Sequence, residues 1–235
     1  MGMSRNALLV FAKLPEPGRV KTRLLAALTP QQAADIYGAC LEDTVRQVAR
    51  VPGCRPRLHV AAPRDRAQQL ATTLQLDRRW RIGLQRGRDL GERFHLAFEG
   101  LFREGYEKVV IVGTDTPWMG SERISRAVEL LNAADVVLGP SADGGYYLIG
   151  SRRVVPQMFR AIAWGTSQVF GMTIGALKKA RASYCLLPRD FDLDRPEDLE
   201  RAGELLRRSP HRAPALARLL ANLRDSRLKY AVTGL

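Results

Sequence analysis

The stretch Lys108-Val-Val-Ile-Val-Gly-Thr-Asp-Thr-Pro117 carries the most structural information in this sequence. Its short run of β-branched residues, bounded by Lys108 and Gly113, is typical of a strand that is buried on both faces. Asp115 follows this strand at once. Ligands of open parallel α/β sheets bind beyond the carboxyl ends of the strands. The stretch therefore predicts a central strand with an acidic residue at the binding edge.

Strand and helix patterns alternate on both sides of it. Further strands are predicted at 7–12, 57–62, 80–85, 135–139, 146–150 and 183–187, and helices at 29–51, 64–76, 90–103, 121–133, 155–161, 167–182, 196–208 and 211–226. Thr29 suits the N-cap of the first helix and Pro30 its first turn. Such alternation predicts βαβ units and a single-domain, three-layer α/β/α fold with a mainly parallel sheet. Residues 1–208 are expected to form this domain, and 209–235 a helix with a loose tail that packs on it or on a partner.

Length and composition narrow the class of protein. The 235 residues, 46% of them hydrophobic, suffice for one large domain. No apolar run approaches the roughly 20 residues of a membrane span, and the N-terminus shows no export signal. Three separated cysteines without a CxxC pair predict reduced thiols and a cytoplasmic protein.

The net charge of +13 favours anionic partners such as nucleotides, sugar phosphates, nucleic acid or anionic lipid. The arginines are spread along the chain, however, and often lie near acidic residues. Aromatic residues are not interleaved with them, so a nucleic-acid-binding surface is disfavoured.

Four aspartates follow predicted strands: Asp115, Asp143, Asp192 and Asp194. Mg²⁺ and Mn²⁺ prefer oxygen ligands, often one or two carboxylates completed by substrate phosphates. Aspartates from separate strand ends fit such a metal site. Two structural alternatives remain open: Asp115 begins a turn before Pro117, and Asp194 caps the helix that begins at Pro196.

The loop after the first strand is basic. It contains Gly18 and the cations Lys13, Arg19, Lys21 and Arg23. Backbone N–H groups and cationic side chains of such a loop can surround a phosphate chain. The loop lacks P-loop spacing, and an ordinary exposed loop is the alternative.

Two further segments offer contacts to a base, sugar or acceptor. Gly144 and Gly145, followed by Tyr146, allow close backbone approach, or simply form a tight turn. Trp164 and Thr166 offer a stacking plane and a hydroxyl, or a core residue and an N-cap. His59 and His95 lack partners at ligand spacing and are predicted to be structural.

Six motifs occur together in a familiar order between about residues 7 and 200. They are Phe11-Ala-Lys-Leu-Pro-Glu-Pro-Gly-Arg-Val-Lys-Thr-Arg-Leu24, Asp89-Leu-Gly-Glu-Arg93, Gly113-Thr-Asp-Thr-Pro117, Gly139-Pro-Ser-Ala-Asp-Gly-Gly-Tyr-Tyr-Leu-Ile-Gly150, Trp164-Gly-Thr166 and Asp192-Leu-Asp-Arg-Pro-Glu-Asp-Leu199. The set resembles a bacterial family of GT-A-type glycosyltransferases, the DUF2064 group. Residues 21–24 are also similar to phospholactate guanylyltransferases, and residues 193–199 to the cytidylyltransferase that activates Kdo.

The resemblance implies a nucleotide-diphospho-sugar transferase fold and a Mg²⁺- or Mn²⁺-dependent transferase. Glycosyl transfer from a nucleotide sugar to a small acceptor is the first expectation. Nucleotidyl transfer from a nucleoside triphosphate to a phosphorylated acceptor is the second, and nucleic-acid binding is a remote third. The expected catalytic residues are Asp115, Asp143 and Lys21; the metal ligands Asp115, Asp194 and Asp192; the nucleotide-binding residues Ala12, Lys13, Gly18, Lys21, Arg23, Asp89 and Gly91; and the substrate-binding residues Gly144, Gly145, Tyr146, Trp164 and Thr166.

The chain departs from the sugar nucleotidyltransferases in two places. A proline-containing loop replaces their GxGxRM loop, and Arg195 stands where they commonly have Thr.

Overall fold

A seven-stranded sheet forms the centre of the computed structural model, which describes the backbone of residues 5–232 and the side chains of residues 5–224. Its order is β3-β2-β1-β4-β6-β5-β7, and only β6 runs antiparallel to its neighbours. The strands are β1 (Asn6–Ala12), β2 (Arg55–Val60), β3 (Arg81–Leu84), β4 (Lys108–Val112), β5 (Val136–Pro140), β6 (Tyr146–Ser151) and β7 (Tyr184–Leu186). The predicted fold class is confirmed.

Within residues 5–232, seven α-helices connect and cover the strands: α1 (Pro30–Ala49), α2 (Arg64–Thr73), α3 (Leu90–Arg103), α4 (Ser121–Leu130), α5 (Val169–Lys179), α6 (Pro196–Arg208) and α7 (Pro214–Val232). Thr29 caps α1 as predicted, in a capping box with Gln32. The helix predicted over 155–161 is wrong in extent. Only a 3₁₀ turn, Pro156–Phe159, forms there, and Ala161 adopts a left-handed φ of 54°, which ends helical geometry.

Alternation along β1 shows how the layers are built. Leu8 and Val10 point to a core shared with α1, α2 and α4, whereas Leu9 packs with Phe94 and Phe98 of α3 on the other face. All these side chains are at most 9% exposed. Because successive strand residues face opposite sides, one buried strand serves both helical layers.

The C-terminal segment packs on the domain through the first half of α7. A third cluster joins α1, α6 and α7, with Leu216 and Leu206 fully or nearly buried. The carboxylate of Asp43 in α1 accepts hydrogen bonds from the N–H groups of Ala215 and Leu216, at 3.0 and 2.9 Å. Burial raises the pKa of Asp43, against these bonds, which lower it. The helix predicted to end at residue 226 continues to Val232, and residues 233–235, the end of the predicted tail, lie outside the described part.

The turn before the antiparallel strand β6 lies at the same edge of the sheet as the loops that follow the parallel strands. β5 runs parallel to β1 and β4 in direction, and a turn of five residues, 141–145, returns the chain directly into β6. Ser141 forms an isolated parallel bridge with Asp190 beyond β7. The loops after β1, β4, β5 and β7 therefore meet at one edge, as the sequence predicted. Within the described residues, no helix is both long and apolar enough to cross a membrane.

Candidate active site

Lys21 and Asp115 form the centre of this edge. The Lys21 side chain is 2% exposed, and its Nζ donates to the Asp115 carboxylate and to the carbonyl of Leu193. Lys21 adopts a left-handed φ of 49°, which is uncommon for a residue with a side chain. Burial lowers the pKa of Lys21, but the charge and hydrogen bond of Asp115, together with other neighbouring groups, outweigh burial and raise that pKa above its ordinary value. The site thus holds a permanent buried positive charge.

Asp194 lies beside this pair and is bound by Arg23, whose Nη1 donates to the Asp194 carboxylate. The alternative role of Asp194 as a helix cap is wrong. The N-cap position of α6 belongs to Arg195, and the Asp198 carboxylate accepts the N–H groups of Asp194 and Arg195 at 3.0 and 2.7 Å. The Asp194 carboxylate is therefore free of capping and faces the site.

Asp192 is held more deeply. One carboxylate oxygen accepts the Thr116 hydroxyl at 2.8 Å, and the other accepts the Ser141 hydroxyl. Burial and the nearby negative charge of Asp115 raise the pKa of Asp192 to about 7, although both hydroxyls oppose the shift. Its role as a metal ligand stays a prediction. The Asp192 carboxylate also has a structural role, because its hydrogen bonds link the loops after β4, β5 and β7.

A cavity of about 420 Å³ opens on one side of Asp115, between the ends of β1 and β4 and the starts of β6 and α3. The predicted residues Ala12 and Lys13 line it, together with Asp115, Asp194 and Tyr146. The cavity combines apolar walls with a few charged groups, as small-molecule sites do.

Several residues that line this cavity were not predicted as site residues, among them Tyr37, Gln85 and Arg93. Tyr37 accepts the Lys13 N–H at 2.7 Å, and Gln85 donates to the Ala12 carbonyl at 2.9 Å. Arg93 also lines the cavity. Gln85 and Arg93 belong to the loop after β3 and the helix that follows it, so their position near a strand end was an available signal. Tyr37 lies within α1, and its helical spacing gave no sign of this contact.

A second cavity, of about 470 Å³, lies on the other side and is lined by Arg23, Asp143, Thr166 and Asp192 among others. Asp194 lines both cavities. The two cavities therefore adjoin at Asp194.

The turn between β5 and β6 shapes this second cavity. The Asp143 carboxylate accepts the Gly145 N–H at 2.9 Å, which fixes the side chain within its own turn. Gly144 has φ +90°, and a Cβ there would overlap the backbone of Ser167. Its carbonyl accepts the Phe170 N–H at 2.8 Å. Gly144 is needed for close packing of the 166–168 segment, so its predicted importance has a backbone cause.

Several predicted binding residues serve in packing or capping. Asp89 caps α3 by accepting the Glu92 N–H at 2.8 Å. A Cβ at Gly91 would overlap the Trp164 indole, which packs in turn 5.7 Å from the Phe94 ring. Neither Gly91 nor Trp164 lines the two cavities, so ligand contacts predicted for them are not supported by their positions. Gly18 is exposed with open space around it.

Carboxylate side chains are the ligands that a metal ion could use at this site. Among the described residues, no group of three or more His, Cys, Asp and Glu side chains is arranged to hold a metal ion. Asp115 and Asp194 nevertheless keep side chains 49% and 34% exposed at the cavity boundary. One or two carboxylates are what Mg²⁺ commonly takes from protein when substrate phosphates supply further ligands. The donor set fits that mode of binding and does not fit an all-protein metal cage.

Comparison with known proteins places the chain in context. Residues 27–166 match the family described as "Uncharacterized protein conserved in bacteria (DUF2064)". A crystal structure from Desulfovibrio desulfuricans G20, of a protein provisionally named a nucleotide-diphospho-sugar transferase, is 32% identical with a TM-score of 0.89. The match covers 97% of this chain and 99% of that one.

More distant structures share the fold alone. A CMP:2-keto-3-deoxy-manno-octonic acid synthetase complexed with CTP is 11% identical, with a TM-score of 0.55 over 86% of this chain and 98% of that one. A 4-diphosphocytidyl-2C-methyl-D-erythritol synthase from Anaerococcus prevotii DSM 20548 is 10% identical, with a TM-score of 0.56 over 87% and 98%. No curated protein sequence gave a significant match.

Proposed function

Since the chain belongs to the DUF2064 family, we propose that it is a transferase that moves a glycosyl group from a nucleotide sugar to an acceptor hydroxyl. The nucleotide would occupy the 420 Å³ cavity and the acceptor the 470 Å³ cavity. One observation carries the proposal: Asp194 borders both cavities, and Asp115 lies in the first beside the buried ammonium of Lys21. A group could pass from one bound substrate to the other at this boundary between the two cavities.

In this reaction the anomeric carbon loses its bond to the diphosphate oxygen and gains a bond to the acceptor oxygen. The nucleoside diphosphate leaves with the bonding electron pair, and the acceptor hydroxyl gives up its proton. Asp143 lines the acceptor cavity and is the proposed base or orienting group for that hydroxyl. Lys21 and Arg23 add positive potential where negative charge develops on the leaving diphosphate.

Asp115 and Asp194 are the proposed ligands of a divalent cation, with Asp192 behind them. When bound, Mg²⁺ or Mn²⁺ would neutralise charge on the diphosphate. Binding there requires Asp115 and Asp194 to share their oxygens between the cation and the basic side chains that now hold them. The hydroxyls of Thr116 and Ser141 hold the Asp192 carboxylate in place behind this pair.

Nucleotidyl transfer is the second candidate, and the basic residues around the nucleotide cavity favour it. Lys13 and Arg93 line the cavity, and Lys21 and Arg23 hold the aspartates at its edge. Together they suit a triphosphate as well as a diphosphate. In this reaction an acceptor phosphate oxygen bonds to the α-phosphorus, and pyrophosphate leaves.

A thermal-shift screen of nucleotide sugars and nucleoside triphosphates, with and without Mn²⁺, tests the proposal. A ligand that binds only the folded state raises the melting temperature. We expect a Mn²⁺-dependent rise with a nucleotide sugar in wild type, lost in Asp115→Asn and Asp194→Asn. Asp35→Asn is the matched control, because Asp35 is exposed on α1 and lines neither cavity. Each variant is compared with its own ligand-free melting temperature, so a loss of stability is not mistaken for a loss of binding.

The outcome separates the two candidates. A shift with triphosphates alone, together with pyrophosphate release onto a phosphorylated acceptor, would replace glycosyl transfer by nucleotidyl transfer. Equal shifts in wild type and both site variants would place the nucleotide elsewhere and remove the basis of the proposal.

A further inference from the structure

A third cavity, of about 340 Å³, adjoins the acceptor cavity. The two share Ala142, Phe191 and Arg201 as lining residues. Neither Asp115 nor Asp194 lines the third cavity. An acceptor whose reacting hydroxyl lies beside Asp194 could therefore extend past Phe191 into this third cavity.

Three arginines of this third cavity are without an acidic partner. Within residues 5–224, no ion pair involves Arg189, Arg201 or Arg212, in contrast to arginines such as Arg23, Arg123 and Arg152. The acidic residue in the lining, Asp190, is already engaged by the guanidinium of Arg123. It also accepts the Trp118 indole N–H at 3.0 Å and the Phe191 N–H at 2.9 Å. The cavity is left with a surplus of positive charge.

Arg201 packs against an aromatic ring. Its guanidinium carbon lies 3.8 Å from the centre of the Phe191 ring, so the planar group stacks on the aromatic face. Phe191 is itself held 4.4 Å from the buried Trp118 ring. Stacking uses the face of a guanidinium and leaves its N–H edge free. That edge is the part that binds a phosphate or carboxylate in a bidentate manner.

We propose that the acceptor carries a phosphate group, and that Arg201, with Arg189 and Arg212, binds it in this third cavity. Several guanidiniums suit a dianionic phosphate better than a single carboxylate, because each adds a charge-assisted hydrogen bond. The phosphate would sit at the end of the acceptor remote from the attacking hydroxyl, as a specificity group outside the bonds that change. The identification of the ligand as the acceptor rests on the proposed function. The phosphate site itself depends only on the third cavity.

Inorganic phosphate is the probe, titrated into the full chain and followed by ³¹P NMR at constant ionic strength, with chloride and sulfate as comparison anions. We expect Arg201→Gln and Arg189→Gln each to weaken phosphate binding about tenfold or more, the range of a charge-assisted hydrogen bond. Arg201→Lys keeps the charge but loses the edge that binds phosphate in a bidentate manner. Its phosphate affinity should therefore lie between that of the two Gln variants and that of wild type. Arg208→Gln is the control, because it makes the same charge change on α6 without lining the third cavity.

The result expected is a selective loss: the two Gln variants weaken phosphate binding and Arg208→Gln does not. Equal weakening by Arg208→Gln, or no phosphate binding in wild type, would overturn the proposal. Circular dichroism of each variant checks that it is folded. Should Arg201→Gln unfold the chain, Arg189→Gln gives the deciding measurement, because Arg189 makes no stacking contact within the described residues.

Two further arms identify the source of the phosphate. Binding of glucose 6-phosphate that depends on Arg201 assigns a soluble acceptor. Binding to phosphatidylcholine vesicles only when they contain phosphatidic acid, again dependent on Arg201, assigns a lipid phosphate. Donor-induced thermal shifts should survive Arg201→Gln, since Arg201 does not line the nucleotide cavity. Failure of the donor screen with retained phosphate binding would thus reject the function and keep the phosphate site.

Discussion

Removing the charge of Asp115 should cost more stability than removing the lysine it binds. The two substitutions are Asp115→Asn and Lys21→Met, with the double variant to complete the cycle. The expectation follows from an asymmetry in exposure: the Lys21 side chain is 2% exposed, whereas that of Asp115 is 49% exposed. Each variant leaves the other partner behind in a very different environment.

In Asp115→Asn the ammonium stays buried and keeps the Leu193 carbonyl as a neutral partner. Losing one partner of a buried ion pair costs about 3–5 kcal/mol. The introduced amide oxygen and the nearby Asp194 offset part of this, so we expect a loss of about 2–4 kcal/mol. In Lys21→Met the Asp115 carboxylate is solvated instead, and the main loss is the hydrogen bond to Leu193. That loss is about 1–2 kcal/mol, because the cost of desolvating an ammonium disappears as well.

Urea unfolding at pH 7, followed by tryptophan fluorescence, measures all three variants against wild type. The double variant should resemble Lys21→Met, because the amide introduced by Asp115→Asn then faces no buried charge. The reasoning is refuted if Lys21→Met is the more destabilising by over about 1 kcal/mol. Additivity of the two losses within about 0.5 kcal/mol would also refute it, since coupled neighbours are not additive.

Three other outcomes are expected. Gly144→Ala should lower the free energy of unfolding by about 2–3 kcal/mol, from left-handed strain and the overlap with Ser167, and urea unfolding would show it. Burial, with a smaller effect of Arg57, lowers the pKa of His59 to about 4. The unfolded chain therefore binds the proton first, and stability present above about pH 6.5 should fall by up to about 3 kcal/mol as the pH drops towards 4; urea titrations of His59→Gln should lack this slope. Asp43→Asn leaves one N–H of α7 without an acceptor and should cost about 1–3 kcal/mol, with faster amide hydrogen exchange in the first turn of α7 as the readout.

Much of the fold was accessible from the sequence because local signals and burial agree. The buried strand beginning at Lys108, the Thr29 cap and the helix Leu90–Arg103 each satisfy propensity, patterning and capping at once. The segment 155–161 failed because its apolar spacing was helical while Ala161 adopts a left-handed backbone. That conformation is set by packing, which spacing does not encode.

The site was predicted in outline and not in its pairings. Residues at strand ends gave Asp115, Lys21 and Asp194, because topology alone brings those loops together. Their partners depend on contacts between residues far apart in the chain, such as Leu193 with Lys21. A sequence motif likewise does not show that Gly91 is needed for packing, because that need arises from the position of the Trp164 ring.

The two acceptors of the Lys21 ammonium have a consequence for how the protein is made. They lie 94 and 172 residues later in the chain than the lysine. At roughly 5–20 residues per second, the ribosome delivers Leu193 on the order of ten to thirty seconds after Lys21. During that interval the first loop cannot bury its lysine with both acceptors present. The emerging N-terminal half can therefore form its strands before the loop that contains Lys21 has both of its hydrogen-bond acceptors. A chain that stops short of Leu193 should leave the ribosome with the lysine side chain exposed.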